Sequence, residues 1–240
     1  MKVIVTGATG RAGREAVHCC LDNDRITKVI ILTRTAVSGD IESHPKVDLV
    51  MHQDFTQYSD YLIQRIGSNF FNPVYYKSVA IGVRPEQAKS EKLLQRSVGV
   101  DLPIASARAF CQKLSHKTPG GVKFRFVYCS LKHTDKSKKT LMFATDTRRM
   151  ANDLEKGIAE IVDAHKSTFE AYALRPATFA SADGPQQRRT SSSRKLVSGL
   201  GHGPMASIEP SRVGKAMVKV ACDGWKETAI ENDVILKLSN

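Results

Sequence analysis

Apolar residues in this chain come in short dense runs separated by polar stretches that carry a longer, helical spacing. Val3-Ile4-Val5 is a β-branched run that turns at once into Gly7-Ala8-Thr9-Gly10-Arg11-Ala12-Gly13. Ala16, Val17, Cys20 and Leu21 then recur at helical spacing, and Asp22-Asn23-Asp24 closes that helix. Val29-Ile30-Ile31-Leu32 is apolar on both faces, as a strand buried in a parallel sheet requires. Further strands are predicted at 47–51, 76–81, 122–129 and 169–174, with a late one at 234–238. Helices are predicted at 56–66, 103–116 and 213–221. A long amphipathic helix is predicted at 146–165, with Met150, Leu154, Ile158, Ile161 and His165 on one stripe.

Strands that alternate with helices of this length build βαβ units. The expected fold is therefore α/β: a doubly wound, mostly parallel Rossmann-type sheet with helices on both faces, in a single domain over 1–240. No internal repeat and no second apolar block calls for another domain. The long irregular stretches are 33–46, 82–102 and 177–209. Ligands of such sheets bind outside the carboxyl ends of the strands, so 82–102 and 177–209 are the natural substrate walls. The polar Ser/Arg-rich stretch 186–195 reads as a loop.

Composition narrows the field. The 240 residues are 41% hydrophobic and 25% charged, which suits a globular domain and excludes a disordered or collagen-like chain. No apolar run approaches the roughly 20 residues that span a bilayer. Five scattered cysteines without a CxxC pair argue against a disulfide framework and against a structural metal site. The formal charge of +12 attracts anions, yet no pattern of a nucleic-acid module accompanies it. The basic runs at Lys136–Lys139, Arg148-Arg149 and Arg188–Lys195 read as solvated surface. With no secretory leader ahead of the first strand and no lipidation motif, the expected location is the cytoplasm.

The glycine loop is the strongest chemical signal. Thr6-Gly7-x-Thr9-Gly10-Arg11-Ala12-Gly13 stands between a strand and a helix, the context in which glycines admit a dinucleotide pyrophosphate to a helix amino terminus. The second strand selects the dinucleotide. An NAD site calls for Asp or Glu at its end, but residues 28–39 contain no acid, and the strand ends in Thr33-Arg34. A guanidinium there suits a 2′-phosphate, so NADP(H) is favoured over NAD(H). Asp54, just past the third strand, is placed either for an adenine contact or as a helix cap.

Thr6-Gly-Ala-Thr-Gly-Arg-Ala-Gly13, Leu32-Thr-Arg34, Ala80-Ile-Gly82, Tyr128-Cys-Ser130 and Leu174-Arg-Pro-Ala177 follow one another as in short-chain dehydrogenases/reductases. The chain most resembles the atypical members, which include the Tat-interacting-protein-type oxidoreductases and NmrA-like proteins, over about residues 1–222. By that resemblance Ala80, Ile81 and Gly82 border the cofactor, Ser130 fills the active-site serine slot and Pro176 lies near the nicotinamide.

The family's proton chemistry uses a Tyr-x-x-x-Lys pair on the long helix, and this chain lacks it. Of the six tyrosines only Tyr128 has a lysine at +4, and a strand sets residues four apart about 13 Å from each other. The helix offers two slots at the right spacing: Thr147 with Ala151, which continues the apolar face and is preferred, and Asn152 with Lys156. Ser130 and His133 remain as acid/base candidates, His133 because its pKa lies near neutrality. The leading function is NADP(H)-dependent reduction of a small carbonyl or enone substrate. The alternatives are a non-catalytic NADP(H)-sensing regulator that binds a partner protein, and a non-redox isomerase or cyclase. Monomer and dimer both fit a long helix whose outer face is charged.

Overall fold

Because Val3, Ile4 and Val5 have no polar neighbour to turn toward water, their strand must be covered on both faces, and it is: all three are fully buried. The computed structural model describes residues 1–68, 76–80, 92–118, 120–130, 144–179 and 207–240, with the backbone alone at 68, 76–80, 92 and 144–147. The main strands are β1 (Lys2–Thr6), β2 (Lys28–Thr33), β3 (Val47–Met51), β4 (Tyr76–Ala80), β5 (Phe124–Cys129), β6 (Phe169–Arg175) and, last in sequence, β9 (Ala229–Glu231). They form one parallel sheet in the order β3-β2-β1-β4-β5-β6-β9. The two-residue strands β7 (Thr178–Phe179) and β8 (Ser207–Ile208) pair in parallel beside it.

The helices are α1 (Arg11–Leu21), α2 (Gly39–Glu42), α3 (Asp60–Ser68), α4 (Lys92–Arg96), α5 (Leu102–Leu114), α6 (Ala144–Ala164), α7 (Pro210–Asp223) and α8 (Asn232–Leu238), with a π-helical turn Ser97–Asp101 leading into α5. Alternating strand residues divide the interior into two cores. Val3, Val5, Val29 and Ile31 pack with Ala16 and Val17 of α1, Met217 of α7 and Ile235 of α8. Ile4, Ile30, Leu32 and Phe126 pack with Leu62 of α3, Phe110 of α5 and Leu154 of α6. Helices on both faces of a parallel sheet make this the doubly wound α/β fold expected. Strand order reverses between β1 and β4, so the switch point where sheets of this kind bind ligands lies at the end of β1.

Five stretches differ from the sequence expectation. Residues 234–238 are not a strand: Asn232, Ile235 and Leu238 are buried at intervals of three and belong to α8, while the final strand is the shorter Ala229–Glu231. An apolar run of five residues cannot by itself tell strand from helix. The helix expected at 56–66 starts only at Asp60, because Asp54 first turns the chain by accepting the backbone N–H of Thr56 at 2.9 Å. Stretch 33–46 contains α2, and stretch 82–102 is helical from Lys92 onward. Stretch 177–209 begins and ends in the β7–β8 pair. Residues Ile81, Gly82 and His133 and the 186–195 stretch lie outside the described residues.

Candidate cofactor and active site

Parallel strands deliver their last residues to one edge, so distant segments of the chain meet there. The glycine loop follows β1, Arg34 follows β2, Ala80 ends β4, Ser130 follows β5 and Pro176 follows β6. Gly7 has φ +70°, a left-handed conformation that only glycine adopts without strain, and its carbonyl accepts the N–H of Gly10 at 3.0 Å. Gly10 is the N-cap of α1 and offers no side chain to cap it. A Cβ on Gly13 would stand 1.9 Å from the Gly7 oxygen and 2.7 Å from its carbonyl carbon. The helix therefore begins against the loop's own backbone, and no acidic residue stands in its first turn. This cradle fits a dinucleotide pyrophosphate: bare backbone at a helix amino terminus, where the macrodipole is positive. Thr6 is buried beneath it, Ala12 packs into the core, and Thr9 is exposed at the turn.

Arg34 is exposed, and its guanidinium has no partner among the described residues; only its backbone is tied, its carbonyl accepting Gln53 Nε2 at 3.0 Å. Asp54 is a turn residue and not the cap of the following helix. It accepts both the N–H and the hydroxyl of Thr56, at 2.9 and 2.5 Å, and these bonds hold its carboxyl below the usual range. The cap of α3 is Ser59, whose Oγ accepts Leu62 N–H at 3.2 Å.

Beside Asp54, His52 follows β3 and lies among aromatic rings, 4.9 Å from Phe55 and 5.2 Å from Tyr58. Its Nε2 is buried without a hydrogen-bond partner among the described residues. Burial lowers its pKa from the ordinary 6.5, against the weaker opposing pull of hydrogen bonding and Asp54. Above that ordinary value the ring is neutral in both folded and unfolded chains. Between it and the lower folded value, only the unfolded chain takes up a proton, so stability falls as pH falls through that window. Thermal midpoints measured from pH 7.5 down to 5.0 are expected to drop more steeply for the wild type than for His52→Phe, which keeps an aromatic ring and removes the titration. Parallel curves would show that His52 titrates no differently when folded.

The carboxyl end of β5 holds what the sequence did not show. Ser130 is 2% exposed, and its hydroxyl donates to Glu155 Oε1 at 2.6 Å. The same oxygen accepts Arg175 Nε at 2.9 Å, Glu155 Oε2 accepts Arg175 Nη2, and Glu231 accepts Arg175 Nη1 at 2.8 Å. One carboxylate on α6 thus ties the ends of β5 and β6 together, and the Arg175 it binds reaches β9. Hydrogen bonding to Glu155, opposed by burial and aided by Glu231, raises the Arg175 guanidinium above its ordinary value. Burial first, and then the Glu155 charge, raise the Tyr128 phenol, so Tyr128 is a poor stand-in for the missing acid.

On α6, Ala151 is buried while Asn152 and Lys156 are exposed, so the Thr147/Ala151 side of the helix is the inward one; Thr147 itself is described by its backbone alone. His165 Nδ1 pairs with the Ile161 carbonyl at 3.1 Å, a satisfied residue at the edge of the core. The sequence held one overlooked sign of the network. Glu155 stands four residues after Ala151, so a carboxylate continues the inward face and needs a buried partner. A groove of about 690 Å³ bordered by Cys19, Lys215 and Cys222 lies at the other end of α1 from the glycine loop. No helix among the described residues is long and apolar enough to cross a membrane.

No family model and no curated protein matches this chain. Solved structures do. The yeast methylglyoxal/isovaleraldehyde reductase Gre2 complexed with NADPH aligns with a TM-score of 0.58 at 17% identity, covering 97% of this chain and 78% of that one. A protein described as a short-chain dehydrogenase/reductase, from Corynebacterium glutamicum, gives 0.56 at 13% identity and covers 97% of this chain and 98% of its own. The dTDP-glucose 4,6-dehydratase of Bacillus anthracis in complex with NAD gives 0.61 at 13%, over 96% and 74%. At such identities the likeness speaks for the backbone alone, and what it establishes is the Rossmann-type α/β fold.

Proposed function

We propose that this protein binds NADP(H) across the carboxyl edge of its sheet, in the manner of an atypical short-chain reductase, and acts on a small carbonyl or enone. The observation that carries this reading is the approach of Gly13 to Gly7, which leaves no room for a Cβ and sets the amino end of α1 directly against the glycine turn. Arg34, exposed and without a partner among the described residues at the end of β2, supplies the charge for a 2′-phosphate. The likeness to a reductase solved with NADPH supports the same cofactor class.

A bound NADPH supplies hydride; the chain's residues bind and orient it. The reduced carbonyl oxygen also needs a proton. Ser130 commits its hydrogen to Glu155 and Tyr128 is buried, which leaves His133, outside the described residues, as the donor the sequence still offers. The second reading, a non-catalytic NADP(H) sensor that contacts a partner protein, is favoured by that same Ser130–Glu155 bond and by the apolar Ala151 in the lysine slot.

Calorimetric titration with NADPH, NADP+ and NADH on the wild type and Arg34→Ala tests the shared part. Loss of a charge-assisted phosphate contact is expected to weaken NADPH about ten- to a hundredfold and leave NADH unchanged. A wild type that binds no dinucleotide would end both readings. Where binding holds, steady NADPH oxidation over a carbonyl panel supports the reductase, and its absence supports the sensor.

A further inference from the structure

Among the described residues the glycine loop touches one aromatic ring. The Arg11 guanidinium lies over Phe179, 5.1 Å from the ring centroid, inside the range where a cation is drawn to a π face. Arg11 is the first residue of α1, directly after the Gly10 N-cap. Phe179 belongs to β7, where it pairs with Ile208 of β8. Ile208 is buried in the core that also holds Ala12 and Val17 of α1. The ring is thus anchored to the same packing that fixes the helix, and the sequence separation of Arg11 and Phe179 hid the contact from pattern reading.

We propose that Phe179 is a cofactor-positioning residue: its ring holds Arg11 at the amino end of α1 for the dinucleotide pyrophosphate, so cofactor binding and β7–β8 pairing reinforce each other. This rests on the dinucleotide reading above. A contact through the face of a guanidinium and in-plane N–H donation to a phosphate oxygen use different parts of the group, so the two contacts are compatible. An arginine already held in place has less side-chain freedom to lose when the phosphate arrives. Linkage then makes the effect reciprocal. If the β7 ring strengthens pyrophosphate binding through Arg11, bound dinucleotide must strengthen the hold of Arg11 on β7 by the same factor. β7 and β8 join the two ends of the 180–206 segment, so the contact links the cofactor loop to the base of the expected substrate wall.

The test is a double-mutant cycle on dinucleotide affinity with Phe179→Leu, Arg11→Gln and both together. Phe179→Leu is expected to weaken NADPH about three- to tenfold, the size of one cation–π contact, and Arg11→Gln, which also removes the phosphate contact, about ten- to a hundredfold, with the double variant no weaker than Arg11→Gln alone. Phe179→Tyr keeps the ring and should bind within about twofold of wild type. In the wild type, NADPH should slow hydrogen exchange at the Ile208 amide, and in Arg11→Gln it should not. Losses that add in the cycle, or a Phe179→Leu protein that binds NADPH as well as wild type, would overturn the proposal and leave the dinucleotide reading standing. Phe179→Leu should also weaken NADH and NADPH alike, because the pyrophosphate is common to both, whereas Arg34→Ala discriminates between them. A wild type that binds neither would overturn the proposal together with the reading beneath it.

Discussion

Gly13→Ala is expected to abolish dinucleotide binding and to destabilise the fold by about 3 kcal/mol, the upper part of the usual range for overpacking. In a chain of this size that lowers the thermal midpoint by about 6–12 °C. The new Cβ would lie 1.9 Å from the Gly7 oxygen, 2.7 Å from its carbonyl carbon and 3.2 Å from the Ala8 Cα. All three are backbone atoms, so no side chain can swing aside; helix α1 must lift off β1. That movement opens the core beneath Ala12 and Ala16 and carries the amino terminus of α1 out of line with the loop. Gly10→Ala is the internal control. Its Cβ would meet the same oxygen at 3.3 Å, a gap that a few tenths of an ångström relieve, so it should cost less than half as much. Differential scanning calorimetry with an NADPH titration measures both effects. A Gly13→Ala protein that melts with the wild type and still binds NADPH would mean that loop and helix are not this close.

That loop was legible in the sequence because all its determinants are local. Strand, turn glycines and helix occupy the first 21 residues, and each glycine has its reason within one turn of chain. The central strands were legible for a similar reason: burial on both faces demands unbroken apolar runs such as Val29–Leu32, which polar loops bracket on either side. The C-terminal segment was not. Val234-Ile235-Leu236 satisfies either period, and the choice fell to Asn232, whose buried Oδ1 accepts the Ala177 N–H at 2.8 Å and fixes the start of α8 there. Nothing near position 232 announces a partner at 177. The cluster at the end of β5 was hidden for the same reason. Ser130 was visible as a serine at a strand end, but what its hydroxyl does depends on Glu155, Arg175 and Glu231, which the strand order of the sheet brings together. The contact of Arg11 with Phe179 likewise joins the two ends of the winding. Sequence spacing reads what a single helix or strand decides, whereas the chemistry of this edge depends on which strands end side by side.

Arg175→Ala is expected to lower stability by about 3 kcal/mol, toward the lower end of what breaking a buried ion pair costs. The Arg175 and Glu155 side chains are 18% and 19% exposed, so water screens part of the pair, and Glu231 at 45% can turn to solvent. Glu155 cannot. Without the guanidinium its charge keeps the Ser130 hydroxyl, beneath the end of the sheet, but loses the cation that balances it. Replacing both partners by apolar residues of similar volume, Arg175→Met with Glu155→Leu, removes the stranded charge and is expected to recover most of the loss, because desolvating an ion pair offsets much of its attraction. The comparison bears on function as well as stability. In the double variant Ser130 has lost its acceptor, so its hydrogen becomes available to a substrate oxygen for the first time. NADPH affinity should stay near wild type in that variant, since the glycine cradle and Arg34 are untouched. If carbonyl reduction then appears or rises, the Glu155 bond was holding the serine out of catalysis, and the natural protein is better read as a sensor. If an active wild type loses its turnover instead, Ser130 works as Glu155 orients it, and the network belongs to the reductase.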